Sequence, residues 1–189
     1  MTPEEDAELV RRCPLLYRDR FSDKMSTCMC WGFEIDKGWT NLIYKVSEKI
    51  EAILSALDMT EFDECRYCLH SRENHLGNCS GVAMKKVDGS KETYGRCNCA
   101  NYSDRRPCAL QVKEKFGTLR FYMTSHTDEI EAAIEVAEAE SAVTCQECGQ
   151  PGSSRNNNFW YSTFCDKCQD EYVRLGPAWR RKPDEKANS

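Results

Sequence analysis

Thirteen cysteines constrain this chain more than any other feature, because so many thiols must be tied either to one another or to metal. They are clustered. The stretch from Glu64 to Gly81, ECRYCLHSRENHLGNCSG, sets Cys65, Cys68 and Cys79 beside His70 and His75, and the only other histidine in the chain is His126. The N-terminus, MTPEEDAELVRRC, is acidic and has no apolar run of about 7 to 15 residues such as a secretory signal needs. No segment approaches transmembrane length. These features predict a cytoplasmic protein with no membrane partner. Reducing cytoplasm disfavours disulfides and an odd count leaves one thiol unpaired, so the cysteines read as metal ligands.

The stronger constellation is C-terminal, TCQECGQPGSSRNNNFWYSTFCDKC, where Cys145-x2-Cys148 and Cys165-x2-Cys168 are separated by sixteen residues. Two such pairs match a tetrahedral structural zinc, each pair forming a knuckle around the ion. Gly149 permits the tight backbone that follows the first pair. CDKCQDEYVRL reads as helical, so the last two ligands stand on a helix, as in a treble-clef or ribbon finger. A thioredoxin-like redox role would need a surrounding βαβ pattern, which is missing.

The middle constellation is denser. Cys65 and Cys68 form a knuckle, His75 and Cys79 a second half-site, and RCNC adds Cys97 and Cys99, with His70 and Cys108 as further candidates. With His70 the set exceeds what one zinc uses and falls short of two closed sites unless Cys108 or a shared ligand joins, so two or three Zn2+ ions per chain are expected in all. Residues 65–108 show no amphipathic run, and metal binding, worth roughly 10 to 16 kcal/mol for structural zinc in finger peptides, would supply their folding free energy. Cys28 and Cys30, in TCMCW, read instead as buried thiols beside Trp31.

Elsewhere the apolar pattern is legible. Leu42, Ile43, Val46, Ile50, Ile53, Leu54 and Leu57 recur at helical spacing after Trp39, predicting a helix of about five turns. QVKEKFGTLRFYM alternates around Phe116-Gly117 as a β-hairpin does. Ser125 and Asp128 match a capping box for a second helix, with Ile130, Ala133, Ile134 and Ala137 along its inner face. Trp39, Leu42, Ile43, Val46, Ile50, Leu119, Phe121, Ile130 and Ile134 are the predicted core. The fold class is therefore α+β: a helix-hairpin-helix core, an inserted zinc-binding module and a C-terminal treble-clef or zinc-ribbon-like finger. The segments are 1–64 (N-terminal stretch and first helix), 65–108 (insertion), 109–144 (hairpin and acidic helix), 145–176 (finger) and 177–189 (basic tail).

Net charge is -5, but it is unevenly spread: residues 127–149 hold seven acids and no base, while 65–108 sum to +4. The acidic whole disfavours indiscriminate nucleic-acid binding. Local basic patches keep that class open, with Arg66, Arg72, Lys85, Lys86, Arg96, Arg105 and Arg106 in the insertion, and Trp179, Arg180 and Arg181 in the tail. The acidic helix, with Glu131, Glu135 and Glu138 at i, i+4 and i+7, points instead to a protein partner. Enzyme motifs fail on spacing. A zinc deaminase needs H-x-E with P-C-x-x-C, whereas His70 and Glu73 are one residue too far apart and Pro107-Cys108 lacks its second cysteine. H-E-x-x-H is absent. No histidine follows His126 to serve a treble-clef nuclease. A zinc hydrolase with an open metal position in the 65–99 cluster stays as an alternative.

CWGFEIDKGWTNLI, QVKEKFGTLRFYM and CQECGQPG…W…CDKC resemble a widespread set of uncharacterised proteins encoded by bacteriophages, prophages and bacteria. CRYCLHSRENHLGNCSG…YGRCNCANY is similar to another small cysteine-histidine zinc motif of phage and bacterial proteins. The resemblance implies a phage origin and a setting in the host cytoplasm. The finger also partly resembles the DnaK-suppressor type, which binds RNA polymerase, but one short acidic helix stands where that type has a long coiled coil. Together these readings predict a zinc-stabilised binding protein, acting on a host or phage protein, with nucleic acid as the alternative partner.

Overall fold

The structure, a computed structural model, describes residues 1–22, 24–25, 27–57, 82–87, 91–96 and 106–176. The chain divides into two compact units, Met1–Ser55 with Cys108–Ser189, and Ala56–Pro107. In the second unit the described elements are β1 (Val82–Val87) and β2 (Lys91–Arg96), an antiparallel pair running from Val82↔Arg96 to Val87↔Lys91. The sequence reading assigned this segment no regular structure. The signal it passed over is Asp88-Gly89 between two short alternating runs, a hairpin dipeptide.

The first unit opens with α1 (Pro3–Arg12), which the apolar pattern did not predict. Leu9 is its one buried residue, so its signature lies in its cap. The Thr2 hydroxyl accepts from Glu5 N at 3.2 Å, the Glu5 carboxylate accepts from Thr2 N at 2.7 Å, and Pro3 opens the first turn. A 3-10 turn, Cys28–Trp31, overturns the buried-thiol reading: Cys28 is exposed, Cys30 is half-buried and Trp31 is 69% exposed. The turn directs Met29 inward instead, because successive side chains of so tight a helix fan out and one of the four faces the core.

The next helix, α2 (Thr40–Ala56), buries Leu42, Ile43, Val46, Ile50 and Leu54 as its spacing predicts, while Ile53 and Leu57 are half-buried. Its buried Ser47 meets the Tyr17 hydroxyl at 2.6 Å, and Glu51 accepts the backbone N–H groups of Leu15 and Leu16. The hairpin is β3 (Ala109–Lys115) and β4 (Thr118–Met123). Both of its edges are covered, which removes the exposed ladder that invites aggregation. Glu34 pairs along β3 through Glu34 N→Val112 O and Glu114 N→Glu34 O. Along β4, Leu119 N donates to Ser141 Oγ and Phe121 N to Glu138, both from α3 (Asp128–Ser141).

Glu138 also pairs with Arg120 at 3.3 Å, so it is a structural clamp and not part of a solvated acidic face, as its i+7 spacing had suggested. The cap of α3 is Thr127, whose hydroxyl accepts from Ile130 N, and not Ser125. The named core residues on α2, β4 and α3, with Trp39, are all buried. A third hairpin, β5 (Ser153–Asn157) with β6 (Trp160–Phe164), leads into α4 (Asp166–Leu175). The architecture is α+β. Among the described residues no helix is long and apolar enough to cross a membrane.

Candidate metal centre

Four thiols converge at the end of the first unit. Cys145 and Cys148 sit on a tight turn closed by Gly149 N→Cys145 O at 2.8 Å, with Gly149 at φ +74°. Cys165 is the N-cap of α4 and Cys168 lies in its first turn. The β5–β6 hairpin brings the two pairs together, and all four sulfurs lie within 4.8 Å of one another. Cys148 and Cys165 Sγ are 3.7 Å apart. A regular tetrahedron with Zn–S of about 2.3 Å has an edge of about 3.8 Å, so this spacing fits a zinc ion.

The electrostatics agree. Desolvation raises the Cys168 thiol far above its usual value, and the neighbouring thiols of Cys165 and Cys148 add to it. Desolvation likewise raises Cys148, against a backbone hydrogen bond from Gln150. At Cys165 desolvation also pushes upward, but the Cys168 backbone N–H and the three other thiols outweigh it and lower the value. Cys148, Cys165 and Cys168 thus compete for negative charge, a competition that a bound divalent cation would relieve. Cys145, Phe164 and Cys168 are buried, with Tyr172 packed against them. Cys148 is exposed at an open cleft of about 370 Å³ whose rim includes Lys37, Lys167, Glu147 and Glu171.

The knuckle is seated on the core by residues that spacing alone did not single out for this role. Gly38 N donates to Gln146 O at 2.9 Å, and the Trp39 indole N–H donates to Thr144 O at 2.8 Å. Gln146 is fully buried with both ends of its amide used, Nε2 to Asp36 at 2.6 Å and Oε1 from Thr163 N at 2.9 Å. On the other side Thr163 Oγ1 donates to Gly117 O at 2.6 Å. A side chain at Gly117 would meet the Ser162 backbone at 3.0 Å. DKGW and KFGT are therefore the two sockets of the finger. Their partners lie up to 110 positions away, which is why no local pattern reveals them.

Among the described residues this is the one group of three or more ligand-type side chains that could hold a metal. Cys65, Cys68, His70, His75, Cys79, Cys97, Cys99, Arg105, Trp179, Arg180 and Arg181 lie outside the described residues. Cys108 is buried just before β3 and its thiol faces Asp19 at 3.4 Å, while Arg106 is half-buried. His126 stands at the surface near Glu131. Compared with known protein families, curated proteins and solved structures, the chain matches none.

Proposed function

We propose that the protein is a zinc-stabilised binding module of phage origin, working in a bacterial cytoplasm, that docks a cationic segment of a host or phage protein on α3. The finger, read as treble-clef-like, holds one zinc, and a further one or two belong to the insertion. Four thiolates fill a tetrahedral ion and leave no place for a catalytic water. The hydrolase reading rests wholly on the 65–99 cluster.

The observation that carries the proposal is the outer face of α3. Ala132, Val136 and Ala139 recur at i, i+4 and i+7 and are all exposed, Val136 by 58%, and Val143, just past the end of the helix, is exposed by 61%. Asp128 and Glu135 flank this stripe on one side, Glu129 and Glu140 on the other, and the helix contains no base. Lys45 answers Glu140, which leaves the other three acids toward solvent. An apolar stripe between carboxylates suits an amphipathic segment whose own stripe is edged by lysine or arginine.

The test is capture from bacterial lysate on the immobilised protein, with and without nuclease, repeated with Glu129→Lys and Glu135→Lys combined. A partner that resists nuclease and is lost on charge reversal, with zinc content unchanged, is the expected result. A partner retained by the reversed protein, or one present only without nuclease, defeats the proposal.

A further inference from the structure

Two hairpins of the first unit share an unusual feature at their tips. Each is closed by two residues at positive φ, Phe116 (55°) with Gly117 (78°), and Asn158 (54°) with Phe159 (67°). This is the backbone of a type I′ turn, for which Asn-Gly is the preferred pair. Each turn keeps one of those two residues and holds phenylalanine in place of the other. Phenylalanine is strained at positive φ, and neither ring repays the strain by burial: Phe116 is 68% exposed and Phe159 is 93% exposed.

The surroundings say what the rings are for. On the outward face of β3 and β4, Lys115 Nζ lies 5.4 Å from the Phe116 ring centroid and Lys113 Nζ lies 5.6 Å from that of Tyr122. Neither lysine forms an ion pair among the described residues; the residues alternating along this face, Gln111 to Lys115 and Thr118 to Tyr122, include no acid, and the two carboxylates that reach it from neighbouring elements are each engaged, Glu34 by Gln111 and Glu138 by Arg120. The Gly117 turn packs against the backbone of Ser162 in β6, so the two hairpins meet directly, and on β6 Tyr161 is exposed. Asn156 and Asn158 beside Phe159 are exposed as well.

We infer that these two tips form a binding surface for single-stranded nucleic acid, with Phe116, Phe159 and Tyr161 stacking on bases and Lys113 and Lys115 meeting phosphates. Exposed rings beside unpaired ammonium groups match a polyanion whose units each offer a flat face. A duplex hides those faces within its own stack. The surface is separate from the outer face of α3, and it stands whether or not that helix docks a protein.

The strain makes the test decisive. Phe116→Asn and Phe159→Gly each create an Asn-Gly turn, so the double variant should unfold at the same temperature as the parent or higher. Its affinity for a fluorescein-labelled oligothymidylate, read by anisotropy in reducing buffer with zinc, should fall about 5- to 100-fold. Lys113→Gln with Lys115→Gln should flatten the plot of log affinity against log salt by about 1.4. No binding of the parent protein at low salt overturns the inference, as does an affinity unchanged in the double variant. Equal affinity for a duplex of the same length, or for polyglutamate, also overturns it, the latter marking the surface as one for acidic protein segments.

Discussion

Gly38→Ala is the sharpest probe of how the four-cysteine cluster is built into the fold. An added Cβ would lie 2.4 Å from Cys145 O, 2.6 Å from Gly149 N and 2.7 Å from Cys148 N. All three are backbone atoms of the knuckle, so no side-chain rotation can relieve the clash, and the knuckle must move by most of an ångström. Overpacking of this kind costs about 1 to 3 kcal/mol. The same movement stretches Gly38 N→Gln146 O and the buried Gln146–Asp36 contact, each worth about 1 kcal/mol. With partial relaxation the sum is about 2 to 4 kcal/mol. Because the strain is felt when the knuckle is closed around its ion, it should appear as zinc affinity lowered by about 30- to 1,000-fold. Competition against a chromophoric chelator under reducing conditions measures this directly, and thermal unfolding supplies the stability change. Gly176→Ala is the control for zinc affinity: nothing lies within 4 Å of that position, and its positive φ of 59° makes the substitution cost stability at the end of α4 while zinc affinity should be unaffected. Zinc affinity and unfolding midpoint both unchanged in Gly38→Ala would refute the view that the finger is seated on DKGW.

Elemental analysis of the reduced protein should return two or three zinc ions, and Cys145→Ser with Cys168→Ser should remove one; less than one zinc in the parent protein contradicts both. Leu42→Ala, at a buried position of α2, should cost about 2 to 5 kcal/mol in urea unfolding, and an unchanged midpoint would reject the packing assigned to that helix. Alkaline pH should destabilise the fold. Burial, followed by Glu51 and Glu48, pushes the Cys13 thiol up to about 12 from a usual value of 9.0, so above about pH 9 the unfolded chain releases a proton that the folded chain retains. The resulting loss of stability, up to about 1.4 kcal/mol per pH unit between about 9 and 12, should be shallower in Cys13→Ala when urea midpoints are compared from pH 8 to 10. Buried Tyr17, raised in the same direction by desolvation, leaves a residual slope in that variant.

Local spacing carried a definite part of this protein. The three-and-four recurrence from Leu42 to Leu54, the alternation on either side of Phe116-Gly117 and the two C-x2-C pairs each specify a conformation within a few residues. Sequence order preserves that information because the interacting groups are near neighbours along the chain. The first helix escaped the same reading because it is polar on most faces, with Leu9 alone buried, and its evidence is a cap rather than a period. Tertiary structure decided the rest. Asp36 reaches Gln146, Trp39 reaches Thr144, and Gly117 backs onto Ser162. These contacts turn three separate motifs into one seat for the four-cysteine cluster. The same packing turned Met29 inward and left Cys28 outside, and it drew Glu138 off the acidic face to hold the edge of β4. It also left Phe116 and Phe159 in solvent at strained turns. None of these outcomes follows from a residue and its neighbours, because each depends on which distant backbone arrives at that point. Periodicity records which face of an element is apolar, and only the closed fold determines what meets it.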